Sequence, residues 1–154
     1  MIIKKNIFLI FIILILYGCG YSKIYSSNEN NSFNIKLIKI EGDTELNNYL
    51  VSNLNKYIEN KSAKYNYSLL INTEFYKETL AKDKTGKVTD IKLIAKLNME
   101  YQKEEGILKK ISLTESFNIK KNQNNFEQRD YEKNIKRNLS QLLSDKIVRY
   151  LTLN

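Results

Sequence analysis

Apolar and polar residues alternate with a period of two over four stretches of the chain, and recur every three to four residues over two others. In the first alternating stretch, Phe33 to Ile40, Phe33, Ile35 and Leu37 share one phase, and Ile38 and Ile40 then shift it. That pattern predicts a strand that is bulged, or covered on both faces, near its end. Glu41-Gly42-Asp43-Thr44 stops the strand, and Asp43 or Thr44 can cap a helix. Leu46, Tyr49, Leu50, Leu54, Tyr57 and Ile58 make a helical stripe, so Glu45 to Asn60 is expected to be one amphipathic helix. Tyr65 to Leu80 is rich in Tyr, Leu, Ile, Thr and Phe and reads as a long strand. A turn at Lys82 to Lys87 follows, with Gly86 free to take positive φ. Val88 to Gln102 alternates almost strictly, with Ile94 breaking its polar face, and ends at a turn, Lys103 to Gly106. Ile107 to Ile119 is the fourth strand, with Glu115 on the apolar phase, which implies imperfect alternation or a bulge. After a polar loop, Asn122 to Glu127, the period changes to about 3.6 from Gln128 to about Leu151. The helical face there carries Tyr131, Ile135, Leu139, Leu142, Leu143, Ile147 and Tyr150.

The order is therefore β-α-β-β-β-α. Tight turns join the second, third and fourth strands, so these form an antiparallel meander. The first strand reaches the sheet by a crossover through the first helix, expected to be right-handed. Two helices packed on one face of a four-stranded mixed sheet make a two-layer α+β sandwich.

The residues before this domain have a different character. Lys4 and Lys5 precede an unbroken apolar run, Ile7 to Tyr17, of 11 residues. As a helix that run is about 16 Å long. A bilayer core of about 30 Å needs about 20 residues, so the run fits the h-region of a signal peptide rather than a span. It ends in Leu16-Tyr17-Gly18-Cys19. This resembles the bacterial lipobox, in which an aliphatic, a variable and a small residue precede the cysteine. The resemblance implies cleavage between Gly18 and Cys19, with diacylglycerol and an N-acyl chain attached to Cys19. Asp after the lipidated cysteine commonly retains lipoproteins in the inner membrane of Gram-negative bacteria. Here that residue is Gly20, which implies sorting to the outer membrane, on its periplasmic side. The expected organisation is a lipoprotein signal peptide over 1–18, a lipidated N-terminus and polar tether over 19–32, and one domain over 33–154.

Composition narrows the chemistry. The 154 residues include 25 Lys and Arg, 17 Asp and Glu, no His and one Cys, for a net charge of +8. Without His there is no Ser-His-Asp triad, no Cys-His nucleophile and no His-bearing zinc site. One Cys allows no internal disulfide and no CxxC pair, and lipidation at Cys19 accounts for its solitude. Two of the lysines leave with the signal peptide, so the mature charge is +6. No catalytic residue, metal site or cofactor is expected.

The lipobox continues as Cys19-Gly20-Tyr21-Ser22-Lys23-Ile24-Tyr25. Cys, Gly, an aromatic, and then an aliphatic residue followed by Tyr resemble the start of mature lipoproteins of the LptE (RlpB) family, with Lys23 where Pro is frequent. The element order and the closing amphipathic helix, Asn138 to Leu151, are also similar to that family. The resemblance implies an outer-membrane lipoprotein that plugs and helps assemble the β-barrel translocon for lipopolysaccharide (LPS). Its partners are then an LptD-like outer-membrane barrel protein and LPS itself. A regulator of a periplasmic cell-wall synthase is the alternative. That role needs a long tether, and the polar stretch from Ser22 to Ser32 spans only about 35 Å fully extended.

LPS is polyanionic, and flexible ammonium groups can neutralise its phosphates. Lys82, Lys84 and Lys87 at the hairpin tip are the candidates, with Lys92 and Lys96 extending them along the next strand. The plainer reading of these lysines is a solvated turn and strand face. Lys109 and Lys110 belong near the opposite turn. Nucleic-acid binding is not expected, because export keeps the domain away from nucleic acid and the aromatics sit at core spacing. Asp130 and Glu132 do not face each other on a helix, and Glu104 and Glu105 lie in a turn, so neither pair reads as a hydrolytic site. Tyr21 and Tyr25 suit packing under the barrel or at a membrane interface, or else a disordered tether.

Overall fold

In the computed structural model, which describes residues 33–153, the alternating stretches form β1 (Phe33–Gly42), β2 (Tyr65–Lys82), β3 (Val88–Lys103) and β4 (Lys109–Lys120). The helical stripes form α1 (Thr44–Leu54) and α2 (Asn125–Leu153). The strands lie in the order β1-β2-β3-β4, with β1 parallel to β2 and the other pairs antiparallel. The fold is the expected two-layer α+β sandwich. Its core is the sheet face built by Phe33 and Ile35, Tyr67, Leu69 and Ile71, and the odd positions of β3 from Ile91 to Tyr101, closed by both helices.

The phase shift in β1 is a bulge. Leu37 pairs with Leu69 and Lys39 with Leu70, so Ile38 is the extra residue and is 58% exposed. At Glu115 there is no bulge, because the β3–β4 register runs unbroken. Glu115 keeps its inward phase and forms an ion pair with Lys146 of α2. A partly buried carboxylate is tolerated there because an ammonium group reaches it.

The first helix is shorter than its stripe. It ends at Leu54 rather than Asn60, tightens into a 3-10 turn at Asn55–Tyr57, and releases Ile58 into a bridge with Ile35. Tyr57 leaves the helical path to stack on Phe33, with ring centroids 5.0 Å apart and planes at 7°. Phe33 in turn meets Tyr67 edge-on, Tyr67 meets Tyr101, and Tyr101 meets Tyr150. This row of rings closes one end of the core. The Tyr67 hydroxyl donates to the Leu151 carbonyl at 3.1 Å, which ties the end of α2 to the sheet. Burial, with the hydrogen bond shared with Tyr150, pushes the Tyr101 phenol up to about 12.

In α2 the buried stripe is Ile135, Leu139, Leu143, Ile147 and Leu151, spaced by four, while Tyr131 and Leu142 lie 46% and 48% exposed. Ser140 and Ser144 are buried in their place. Asn53 of α1 reaches the Ser140 hydroxyl at 3.5 Å, so these small side chains sit where the two helices meet.

The corner between β1 and α1 is tightly specified. Gly42 has φ 101°, and a Cβ there would lie 1.8 Å from the Thr73 carbonyl oxygen. The next amide, Asp43, donates to that same oxygen at 3.3 Å. Asp43 then caps α1 by accepting from the Leu46 amide at 2.8 Å. Lys136 of α2 bridges Asp43 and Glu45, each at 3.1 Å, and stands 4.3 Å from the centre of the Phe75 ring. Behind the corner, the buried Thr73 hydroxyl donates to Asn47 at 2.7 Å, and Asn47 donates to the Glu41 carbonyl at 3.1 Å. Among the described residues, every buried side-chain polar atom has a partner.

Candidate functional site

β1 stops opposite Thr73, but β2 and β3 continue together to Lys82 and Val88. From Glu74 onward β2 is the edge strand among the described residues, β4 accompanies β3 as far as Asp90, and only the hairpin tip beyond that pair projects from the sheet. Every residue from Tyr76 to Lys87 is exposed. Lys82 ends β2, Lys84 lies within the turn, and Lys87 precedes β3.

The turn is held by Asp83. One carboxylate oxygen accepts from the Thr85 amide at 2.8 Å, the Thr85 hydroxyl at 2.7 Å and the Lys87 amide at 3.0 Å. The Gly86 amide donates to the Asp83 carbonyl at 3.0 Å, with Gly86 at φ 82°. The three lysine side chains therefore extend from an ordered loop. In the sequence Asp83 reads as one acid among lysines; its bonding depends on a loop conformation that composition does not specify.

The Thr85 hydroxyl, then the Lys87 and Thr85 amides, hold the Asp83 carboxyl below its ordinary value of 3.8. A lowered folded-state value places the loop order above pH 3.8 and removes it as pH falls further, through the folded value. The Thr85 and Lys87 amide resonances are therefore expected to titrate together below pH 3.8. A shared midpoint at or above 3.8 would contradict the Asp83 bonding.

Lys92 and Lys96 lie on the sheet face away from the helices. Lys92 pairs with Glu78 of β2 and Lys96 with Glu74. Opposite charges at such cross-strand positions attract one another and dilute the positive field. At about 3.3 Å per residue, Lys92 is about 17 Å and Lys96 about 30 Å along the strand from Lys87. The structure therefore groups Lys82, Lys84 and Lys87 and leaves Lys92 and Lys96 on a separate, charge-balanced face. Register decides this pairing, and two register shifts near the tip, between Thr79 and Lys82, remove it from what simple counting back from the turn can reach. Lys109 and Lys110 open β4 at the opposite end of the sheet, where Lys110 pairs with Glu100.

The same open face is polar across β4, where Ser112, Thr114, Ser116 and Asn118 project in a row opposite Asn98, Lys96, Ile94 and Lys92. Ile94 is 4% exposed there, packed among its neighbours rather than under a helix. A recess of about 360 Å³ lined by Asn34, Glu59, Asn60, Lys61, Ala63 and Asn66 opens at the end far from the lysine tip. Among the described residues no three acidic or cysteine side chains stand close enough to hold a metal ion, and no helix is long and apolar enough to cross a membrane. Gly18, Cys19, the tether over 19–32, and Tyr21 and Tyr25 lie outside the described residues.

No protein-family model matches the chain. No curated protein matches its sequence. Solved structures do match its fold. Rare lipoprotein B from Shewanella oneidensis superposes with a TM-score of 0.57 at 11% identity, over 76% of this chain and 94% of that one. A lipoprotein from Caulobacter crescentus superposes with a TM-score of 0.51 at 14% identity, over 76% of this chain and 86% of that one. At these identities the likeness is one of fold: the chain has the β-α-β-β-β-α sandwich of rare lipoprotein B.

Proposed function

We propose that this chain is an outer-membrane lipoprotein, anchored through acylated Cys19 on the periplasmic side, that plugs and helps assemble a β-barrel LPS translocon. The observation that carries the reading is the combination of a lipobox with the fold of rare lipoprotein B in one chain. Two surfaces suit the role. The lumen of a large outer-membrane barrel is polar and wet, and the open sheet face offers Ser, Thr and Asn side chains to such a wall. The hairpin tip offers three ammonium groups on an ordered loop, a geometry suited to the phosphates of LPS. The role is one of binding and assembly, without catalysis or a bound cofactor beyond the covalent lipid.

The LPS contact has its own test. Lys82→Glu, Lys84→Glu and Lys87→Glu combined are expected to weaken binding of purified LPS by about tenfold or more, since exposed charge pairs contribute up to about 1 kcal/mol each. Lys92→Glu with Lys96→Glu is expected to change it by less than about threefold, for these lysines already face acids. Equal losses from the two sets would show that the tip is not the LPS contact.

A further inference from the structure

The end of the domain opposite the lysine tip carries exposed aliphatic side chains. Ile107 is 83% exposed and Leu108 49%, both in the β3–β4 turn, and Leu153, at the end of α2, is 78% exposed. Register places them together. Tyr67 of β2 pairs with Lys103 just before that turn, and Phe33 pairs with Tyr65. Tyr67 and Tyr101 hold Leu151 and Tyr150 at the same level. The chain thus enters the domain at Phe33, on the end that presents Ile107, Leu108 and Leu153.

We infer that this end is a membrane-docking surface, and that Ile107 and Leu108 insert into the headgroup boundary of an anionic bilayer. The inference rests on the lipid-anchor reading of Cys19. Three observations select lipid as the occupant. First, 13 residues lie between Cys19 and Phe33, and chain statistics for that length give a mean span of about 20 Å. The tether therefore keeps this end, not the hairpin tip about 50 Å away along β3, close to the bilayer at high effective concentration. Second, the segments flanking the patch, 56–65 and 103–110, hold six lysines against three glutamates, an excess that remains positive after Lys110 is set against Glu100 of β3. Lysine stems that snorkel around an aliphatic tip complement anionic headgroups. Third, Tyr65 lies beneath Lys64 and Lys103, at 5.3 and 4.1 Å from its ring centre. An aromatic ring with cationic neighbours is a combination favoured at membrane interfaces. The docked pose belongs to the lipoprotein not yet engaged by a barrel.

The chain has no Trp, so a single introduced Trp reports its own surroundings. Full-length protein carrying Ile107→Trp, and separately Leu80→Trp near the hairpin tip, is reconstituted into phosphatidylethanolamine–phosphatidylglycerol vesicles containing bromine-labelled acyl chains. The emission at position 107 is expected to shift to the blue and fall by about half, while the emission at position 80 stays that of water. Replacing phosphatidylglycerol by phosphatidylcholine is expected to weaken the quenching at 107. Unquenched emission at 107 in membrane-bound protein overturns the docking surface, whether the patch then serves a protein partner or none. Mass measurement of the N-terminal residue decides separately whether Cys19 is acylated. Loss of the lipid-anchor reading is thereby distinguished from loss of the docking surface.

Discussion

Gly42→Ala is expected to destabilise the domain by more than about 3 kcal/mol, enough to leave a marginally stable fold largely unfolded. Two costs combine. The residue sits at φ 101°, where an L side chain costs about 1–3 kcal/mol. The new Cβ also meets the Thr73 carbonyl oxygen at 1.8 Å, and that oxygen is backbone inside β2 and cannot swing away. Moving it breaks the hydrogen bond that the Asp43 amide donates to it at the start of α1 and disturbs the Thr73–Asn47–Glu41 chain behind it. Gly86→Ala is the matched control. Its φ is 82°, but nothing lies within 4 Å of the added carbon. Only the backbone cost of about 1–2 kcal/mol applies there. Urea midpoints of the two variants against the parent chain measure the difference. Equal shifts would mean that the corner at Gly42 is looser than its geometry.

Cys19→Ser is expected to abolish acylation and to deplete the outer-membrane fraction of the protein. The serine hydroxyl cannot form the thioether that carries the diacylglyceryl group. Each buried acyl CH₂ contributes about 0.8 kcal/mol, so three chains hold far more tightly than any exposed side chain of this domain. No helix among the described residues can replace that anchor. Labelling with radioactive palmitate, followed by separation of inner and outer membranes, reads both effects. Label persisting on the variant would refute the lipobox assignment.

Much of this molecule is legible in its residue pattern because the two periods report burial directly. The strict alternation of β3 has one face under the helices, and the shifted phase of β1 became the bulge at Ile38. The pattern fails where tertiary partners override it. Tyr57 fits the α1 stripe by spacing, yet stacking on Phe33 pulls it out of the helix. Leu142 fits the α2 stripe, yet contact with α1 selects Ser140 and Ser144, whose small size allows the helices to approach. Glu115 looks like an error of phase until Lys146, thirty-one positions later, supplies its partner. The candidate site follows the same division. The lysines of the tip are visible as a run, but the acids opposite Lys92 and Lys96 depend on register and the loop order depends on Asp83. The aliphatic end at Ile107, Leu108 and Leu153 joins segments that are distant in sequence, and only the folded chain brings them to one place.

The proposed role stands or falls with the partnership with a barrel. The most direct measurement is affinity purification of the full-length, acylated protein from native outer membranes in mild detergent. Stoichiometric recovery of one large β-barrel protein, which stays bound when the detergent is exchanged, is the expected result. Recovery of the lipoprotein from those membranes without any large β-barrel partner would contradict it.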